Sequence, residues 1–143
     1  MPMKLPRNII DTNIILRFFL QDDEEQFLKA KSFIQKLELG KEEALLTDIV
    51  FAEVVWVLHK VYEIPRQEIS ERFSRLINYR GILMVFSKVI YTEGLKLYAK
   101  HSIDIQDILL ALLSKHGNST IITFDKSDFR KLQCAYEEPK TAG

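Results

Sequence analysis

The feature that most constrains the fold of this chain is an alternation of short apolar runs with longer stretches of helical periodicity. Asn8 to Ile10, Ala44 to Thr47, Ile82 to Phe86 and Thr120 to Phe124 read as strands, with a weaker candidate around Gln133 to Tyr136. A helical pattern through Ile14, Ile15, Phe18 and Phe19 follows the first strand. A second helix spans about Glu24 to Leu37, opened by Asp23 with Gln26 and ended by Gly40. Asp48 is a candidate cap for a helix reaching His59 that is apolar almost all round and therefore expected to be central and shielded. Pro65 begins an amphipathic helix carrying Ile69, Phe73, Leu76 and Ile77, with Gly81 as its stop. Ser87 caps a helix to about Lys100, and Asp104 to His116 forms another that Gly117 closes. Strands separated by helices pair in parallel through right-handed crossovers, which predicts a three-layer α/β domain.

At 143 residues the chain fits one domain, 1–143, with 137–143 expected to be a flexible tail. Lys plus Arg equals Asp plus Glu at 20 each, so no global positive field draws the protein to nucleic acid. A locally acidic site with a basic rim is compatible with that balance. The single cysteine, Cys134, excludes an intrachain disulfide and a thiolate zinc cluster, and fits a reducing compartment. The N-terminal residues lack a signal-peptide core and the longest apolar run, Val54 to Leu58, is too short to span a bilayer, so a cytoplasmic location without membrane attachment is expected.

Four carboxylates abut or interrupt apolar runs. Asp11 follows Ile9-Ile10 and is either a helix N-cap or a ligand at a strand end, with Thr12 and Asn13 as polar neighbours. Glu53 is the only charge among Ile49 to Leu58, which suggests either a buried ion pair or a pocket that holds a cation. Asp104 and Asp107 lie three apart at a helix start. Asp104 suits the cap, and Asp107, beyond capping reach, suits a ligand. Asp125 ends the Ile121 to Phe124 strand, where an Asx turn and ligation are both open, and Thr123 could hydrogen-bond a ligand carboxylate or water. Asp128 reads first as a capping or solvated residue.

Two carboxylates about 5 Å apart repel by roughly 3 kcal/mol at an effective dielectric of 20, so such a cluster calls for a cation. All-oxygen donors without His or Cys select hard ions, Mg²⁺ or Mn²⁺, one or two per site, and these serve phosphoryl chemistry. His59, His101 and His116 lie at helix ends, where dipole contacts account for them.

Ile10-Asp11-Thr12-Asn13, Ala52 to Leu58, Asp104 to Ala111 and Thr123-Phe124-Asp125-Lys126 resemble, in order and approximate spacing, the PIN domain, and most nearly the VapC-type toxins of toxin–antitoxin systems. The resemblance runs from about Asn8 to Tyr136. It implies an α/β/α fold with a four- or five-stranded parallel sheet and metal-dependent RNA cleavage. It further implies a homodimer and an antitoxin whose peptide blocks the acidic groove. Carried over by position, the quartet is Asp11, Glu53, Asp107 and Asp125, with Asp104 and Asp128 as extra carboxylates and Asn13 and Thr123 as supporting polar groups. Ile108 departs from the small residue that many members carry after the third acid. Arg17, Lys60, Lys126 and Arg130 are candidate RNA contacts, or else solvated surface charges.

Two other readings compete with a toxin ribonuclease. A phosphohydrolase with Asp11 as covalent nucleophile usually has a second aspartate two residues on, where this chain has Asn13. A non-catalytic PIN-like scaffold that binds RNA or protein is disfavoured by the complete quartet.

Overall fold

The computed structural model describes residues 4–142. Seven helices and four strands alternate among them. They are α1 (Thr12–Leu20), α2 (Glu24–Leu39), β1 (Ala44–Leu46), α3 (Asp48–Lys60), α4 (Arg66–Ile77), β2 (Ile82–Met84), α5 (Lys88–Lys100), α6 (Ile105–Gly117), β3 (Ile121–Ile122), α7 (Ser127–Lys131) and β4 (Tyr136–Glu137). Every strand pairing is parallel, as the alternation requires. The ladder falls into two hydrogen-bonded patches. In one, β1 lies between the Asn8–Ile10 segment, bridged through Ile9 to Leu45, and β2, with Ala44 opposite Ile82. In the other, β3 pairs with β4, Ile121 opposite Tyr136 and Ile122 opposite Glu137. Glu137, assigned from sequence to a flexible tail, is thus part of a strand.

Local chemistry explains most boundaries. The Asp23 side chain accepts from the Gln26 N–H and Ser87 from that of Val89, as their positions suggest. Gly40 ends α2 at φ 74°, a left-handed conformation that glycine adopts without a Cβ penalty. Three expectations change. Thr47, not Asp48, caps α3, because its hydroxyl accepts from the Val50 N–H and leaves Asp48 in the first turn to accept from the Tyr91 hydroxyl. Asn118 rather than Gly117 is the left-handed C-cap of α6. Helix α4 ends at Ile77, and Gly81 instead permits a close crossing: a Cβ there would lie 2.1 Å from the Glu42 carbonyl oxygen.

The core is one cluster, with Phe51, Phe73 and Tyr91 at its centre. Phe51 stacks on Phe73, 5.0 Å between centroids, and meets Tyr91 edge-on. Helix α3 contributes Phe51, Ala52, Val54, Val55 and Leu58 to it. It is not shielded on all sides, however. Ile49 is 80% exposed and Trp56 54%, and Glu53 is also exposed. Positions 49, 53, 56 and 60 line up at helical spacing on the outer face, so the apolar residues among them form a surface stripe and not core.

Candidate metal centre

The acidic residues gather where helix α6 meets the β3–α7 connection. Asp107 lies in the first turn of α6, Asp125 in the loop after β3, and Asp128 in the first turn of α7. One carboxylate oxygen from each lies within 4.8 Å of the other two. Asp107 and Asp128 are half-buried and Asp125 is exposed. Burial raises the Asp107 carboxyl above its ordinary range, and the negative charges of Asp128, Asp104 and Asp125 push it the same way.

Local bonds fix this arrangement. The Asp125 N–H donates to the Thr123 hydroxyl oxygen at 3.0 Å, and Asp125 Oδ1 accepts from the Ser127 N–H at 3.3 Å. The Asx turn weighed from sequence is therefore formed, and Thr123 is spent on backbone rather than on a neighbouring carboxylate. The Thr123 N–H also donates to the Glu137 carbonyl at 3.0 Å, anchoring the loop to β4. On α6, Asp104 occupies the N-cap position but makes no side-chain capping bond, and it is exposed beside Asp107. Ile108 points into the core, fully buried. The glycine at position 94 on α5 makes room there, since a Cβ would meet Leu109 and Leu112 at 3.4 Å and Ile108 at 3.8 Å.

Asp11 and Glu53 stand outside the close trio. Asp11 sits at the N-cap position of α1 without a side-chain capping bond, and Asn13 next to it is exposed. The buried Thr12 hydroxyl donates to Glu53 Oε2 at 3.1 Å and ties α1 to α3. Their apolar flanks in sequence do not bury these carboxylates: Asp11, Glu53 and Asp125 are all exposed. Successive side chains leave a helix or strand in different directions, so an aliphatic neighbour in sequence does not report the burial of the acid beside it. Asp128, ranked as an extra, is a full member of the trio. Its part depends on α7 folding back toward α6, a tertiary event that local sequence does not signal.

The candidate basic residues have mixed settings. Arg17 pairs with Asp22 at 2.8 Å and Lys126 with Glu138 at 3.0 Å. Arg130 donates through Nε to the Tyr136 hydroxyl at 3.3 Å, and Lys60 is exposed at the end of α3. Sequence reasoning missed Arg66. Its guanidinium donates to the carbonyls of Tyr98, His101 and Ile103 at 3.2, 2.7 and 2.8 Å and lies 4.0 Å from the Tyr98 ring centroid. It clamps the loop that delivers Asp104 and Asp107. The nearest sequence signal was its place directly after Pro65, at the first turn of a helix.

Beside the acids, an open groove of about 650 Å³ is lined by Ile49, Glu53, Trp56, Asp104 and Leu110, among others. Its lining is mostly apolar, with Asp48, Glu53 and Asp104 as its acidic members.

Residues 9–133 match the profile of the PIN domain. The chain belongs to the PIN domain family. This PIN domain is also similar to the VapC ribonuclease of Aquifex aeolicus (strain VF5), 27% identical over 125 residues that cover 87% of this chain and 90% of the relative. PIN domains are three-layer α/β/α folds, which accords with the alternation of helices and parallel strands here. No helix of this PIN domain, among the described residues, is long and apolar enough to cross a membrane.

The donor set suits a hard divalent ion. Three carboxylates offer only oxygen and converge within 4.8 Å, and the Asp107 carboxyl among them is raised by burial first and then by its acidic neighbours. No His or Cys joins that group, which disfavours zinc.

Proposed function

We propose that this protein is a metal-dependent endoribonuclease that hydrolyses RNA phosphodiesters, acting as the toxin of a toxin–antitoxin pair. The observation that carries the reading is the convergence of Asp107, Asp125 and Asp128 in a PIN domain similar to a VapC ribonuclease. Asp107, Asp125 and Asp128 would hold Mg²⁺ or Mn²⁺, with Asp11, Glu53 and Asp104 completing the acidic site and Asn13 lending a polar group. A bound divalent ion supplies positive charge to the phosphate and lowers the pKa of a water molecule.

The chain's own residues orient the reactants. Glu53, whose Oε2 is engaged by Thr12, offers Oε1 to the proton of the attacking water. Water adds to phosphorus, the bond to the leaving ribose oxygen breaks, and that oxygen takes up a proton from solvent. Lys60, Lys126 and Arg130 are exposed and available to RNA phosphates. Exchanging a surface ion pair such as Lys126–Glu138 for a phosphate contact is inexpensive, since such pairs are worth about 0–1 kcal/mol. Arg17, less exposed and held by Asp22, is the weakest of the four candidates.

Partner binding falls to the groove. Its exposed Ile49, Trp56 and Leu110 beside Glu53 and Asp104 suit an antitoxin peptide with apolar and cationic side chains. A second copy of the chain is the other partner, as a homodimer.

The test is cleavage of a labelled RNA by purified protein. Cleavage should need Mg²⁺ or Mn²⁺, stop with EDTA, and vanish in Asp107→Asn and Asp11→Asn proteins that remain folded by circular dichroism. Undiminished cleavage by both variants at equal purity would sink the proposal, and absence of Mn²⁺ binding by calorimetry would favour a non-catalytic scaffold.

A further inference from the structure

Phe124 precedes Asp125 directly and is 78% exposed. It belongs neither to the hydrophobic core nor to the partly buried residues packed against it. An aromatic ring so open to water has no folding role to explain it.

Its backbone, in contrast, is held on both sides. Before it, the Thr123 N–H donates to the Glu137 carbonyl at 3.0 Å. After it, the Asp125 N–H donates to the Thr123 hydroxyl at 3.0 Å and the Ser127 N–H to Asp125 Oδ1 at 3.3 Å. The ring therefore projects from a pinned turn, not from a loose loop. Consecutive Cα atoms are about 3.8 Å apart, so the ring is rooted on the residue next to Asp125, a member of the acidic trio.

We propose that Phe124 is a stacking platform for the nucleobase adjoining the scissile phosphate. The inference rests on the nuclease reading above and deepens it. An exposed ring can stack on any base that is free to leave its neighbours, whereas the bases of a duplex are already stacked and paired. Pre-ordering by the Thr123–Asp125 turn reduces what must be fixed when RNA binds. Lys126 and Arg130, both exposed on the same segment, provide the adjacent charge for the backbone.

The experiment uses the whole protein with Ca²⁺ in place of Mg²⁺, and a short unstructured RNA carrying 2-aminopurine, free or annealed to its complement. Wild type and Phe124→Tyr should quench the single-stranded probe and bind it in preference to the duplex. Phe124→Leu should lose the quenching and bind the single strand roughly tenfold more weakly, with duplex binding unchanged. Phe124→Leu with wild-type quenching and affinity overturns the platform, even if the protein cleaves RNA. Conversely, quenching that depends on Phe124 in a protein without Mg²⁺-dependent cleavage removes the nuclease reading and leaves the platform standing.

Discussion

The hydroxyl of Thr12 donates to Glu53 Oε2 at 3.1 Å, joining the first turn of α1 to the exposed face of α3. The donor is buried and the acceptor is not, so the bond draws one oxygen of a solvated carboxylate toward the start of the first helix.

Replacing Thr12 by Val keeps the shape and deletes the donor. Because Glu53 can turn to water, the expected loss is about 1 kcal/mol in urea unfolding. RNA cleavage should fall several-fold, with Thr12→Ser close to wild type in both measurements. A Thr12→Val protein with full activity would leave the bond a purely structural link.

Asp107 gives a prediction of opposite sign. Its carboxyl is raised by burial and by neighbouring acids, so the metal-free folded state binds a proton more readily than the unfolded chain. Stability contributed by that proton is lost as pH rises from the ordinary carboxylate range through the raised value. Metal-free Asp107→Asn should therefore be slightly more stable than wild type at neutral pH, by a fraction of a kcal/mol that shrinks with added salt. The two proteins should converge in acid. Melting curves without metal at several pH values check this, and a less stable Asp107→Asn at neutral pH would contradict it.

Metal removal should be visible in thermal unfolding. An ion that binds only the folded state at about one hundred times its Kd stabilises by about 2.7 kcal/mol, roughly 5–10 °C for a domain of this size. Excess Mn²⁺ should raise Tm by that order, and EDTA should reverse it. The rise should be absent from Asp107→Asn and from Asp128→Asn, the latter distinguishing a trio from a quartet without Asp128.

Arg66 is expected to matter beyond its distance from the acids. Arg66→Met leaves the carbonyls of Tyr98, His101 and Ile103 without their shared donor, at a cost of about 3 kcal/mol. Arg66→Lys supplies one point charge in place of a planar fork and should restore only part. Denaturant midpoints measure the first effect. Weaker Mn²⁺ binding by the folded Lys variant would show that the loop's position reaches Asp107.

What the sequence disclosed depended on whether the signal was local. The Asp23 and Ser87 caps and the order of strands and helices were legible because capping and periodicity act within a few residues. Thr47 and Asp48 are both good caps in adjacent positions, so the choice between them waited on Tyr91, a residue on another helix. Glu53 misled because Ile49 and Trp56, apolar yet exposed, share its outward stripe. Asp107 and Asp125 stood out as candidates in the sequence, but the place of Asp128 beside them depends on how a five-residue helix folds toward α6.

The two parallel pairings differ in how much chain they span. Partners Ile121 and Tyr136 are 15 residues apart, whereas Ala44 and Ile82 are 38 apart. Loop closure for the shorter span is easier by about 0.8 kcal/mol. The β3–β4 pair and all three carboxylates of the trio lie within one stretch from α6 to β4, while Asp11 and Glu53 come from the other half of the chain. A local opening of that stretch would release the three converging acids together and leave the Thr12–Glu53 link intact. Hydrogen exchange should accordingly report the trio's backbone as one cooperative unit, with metal slowing its opening more than that of β1 and β2.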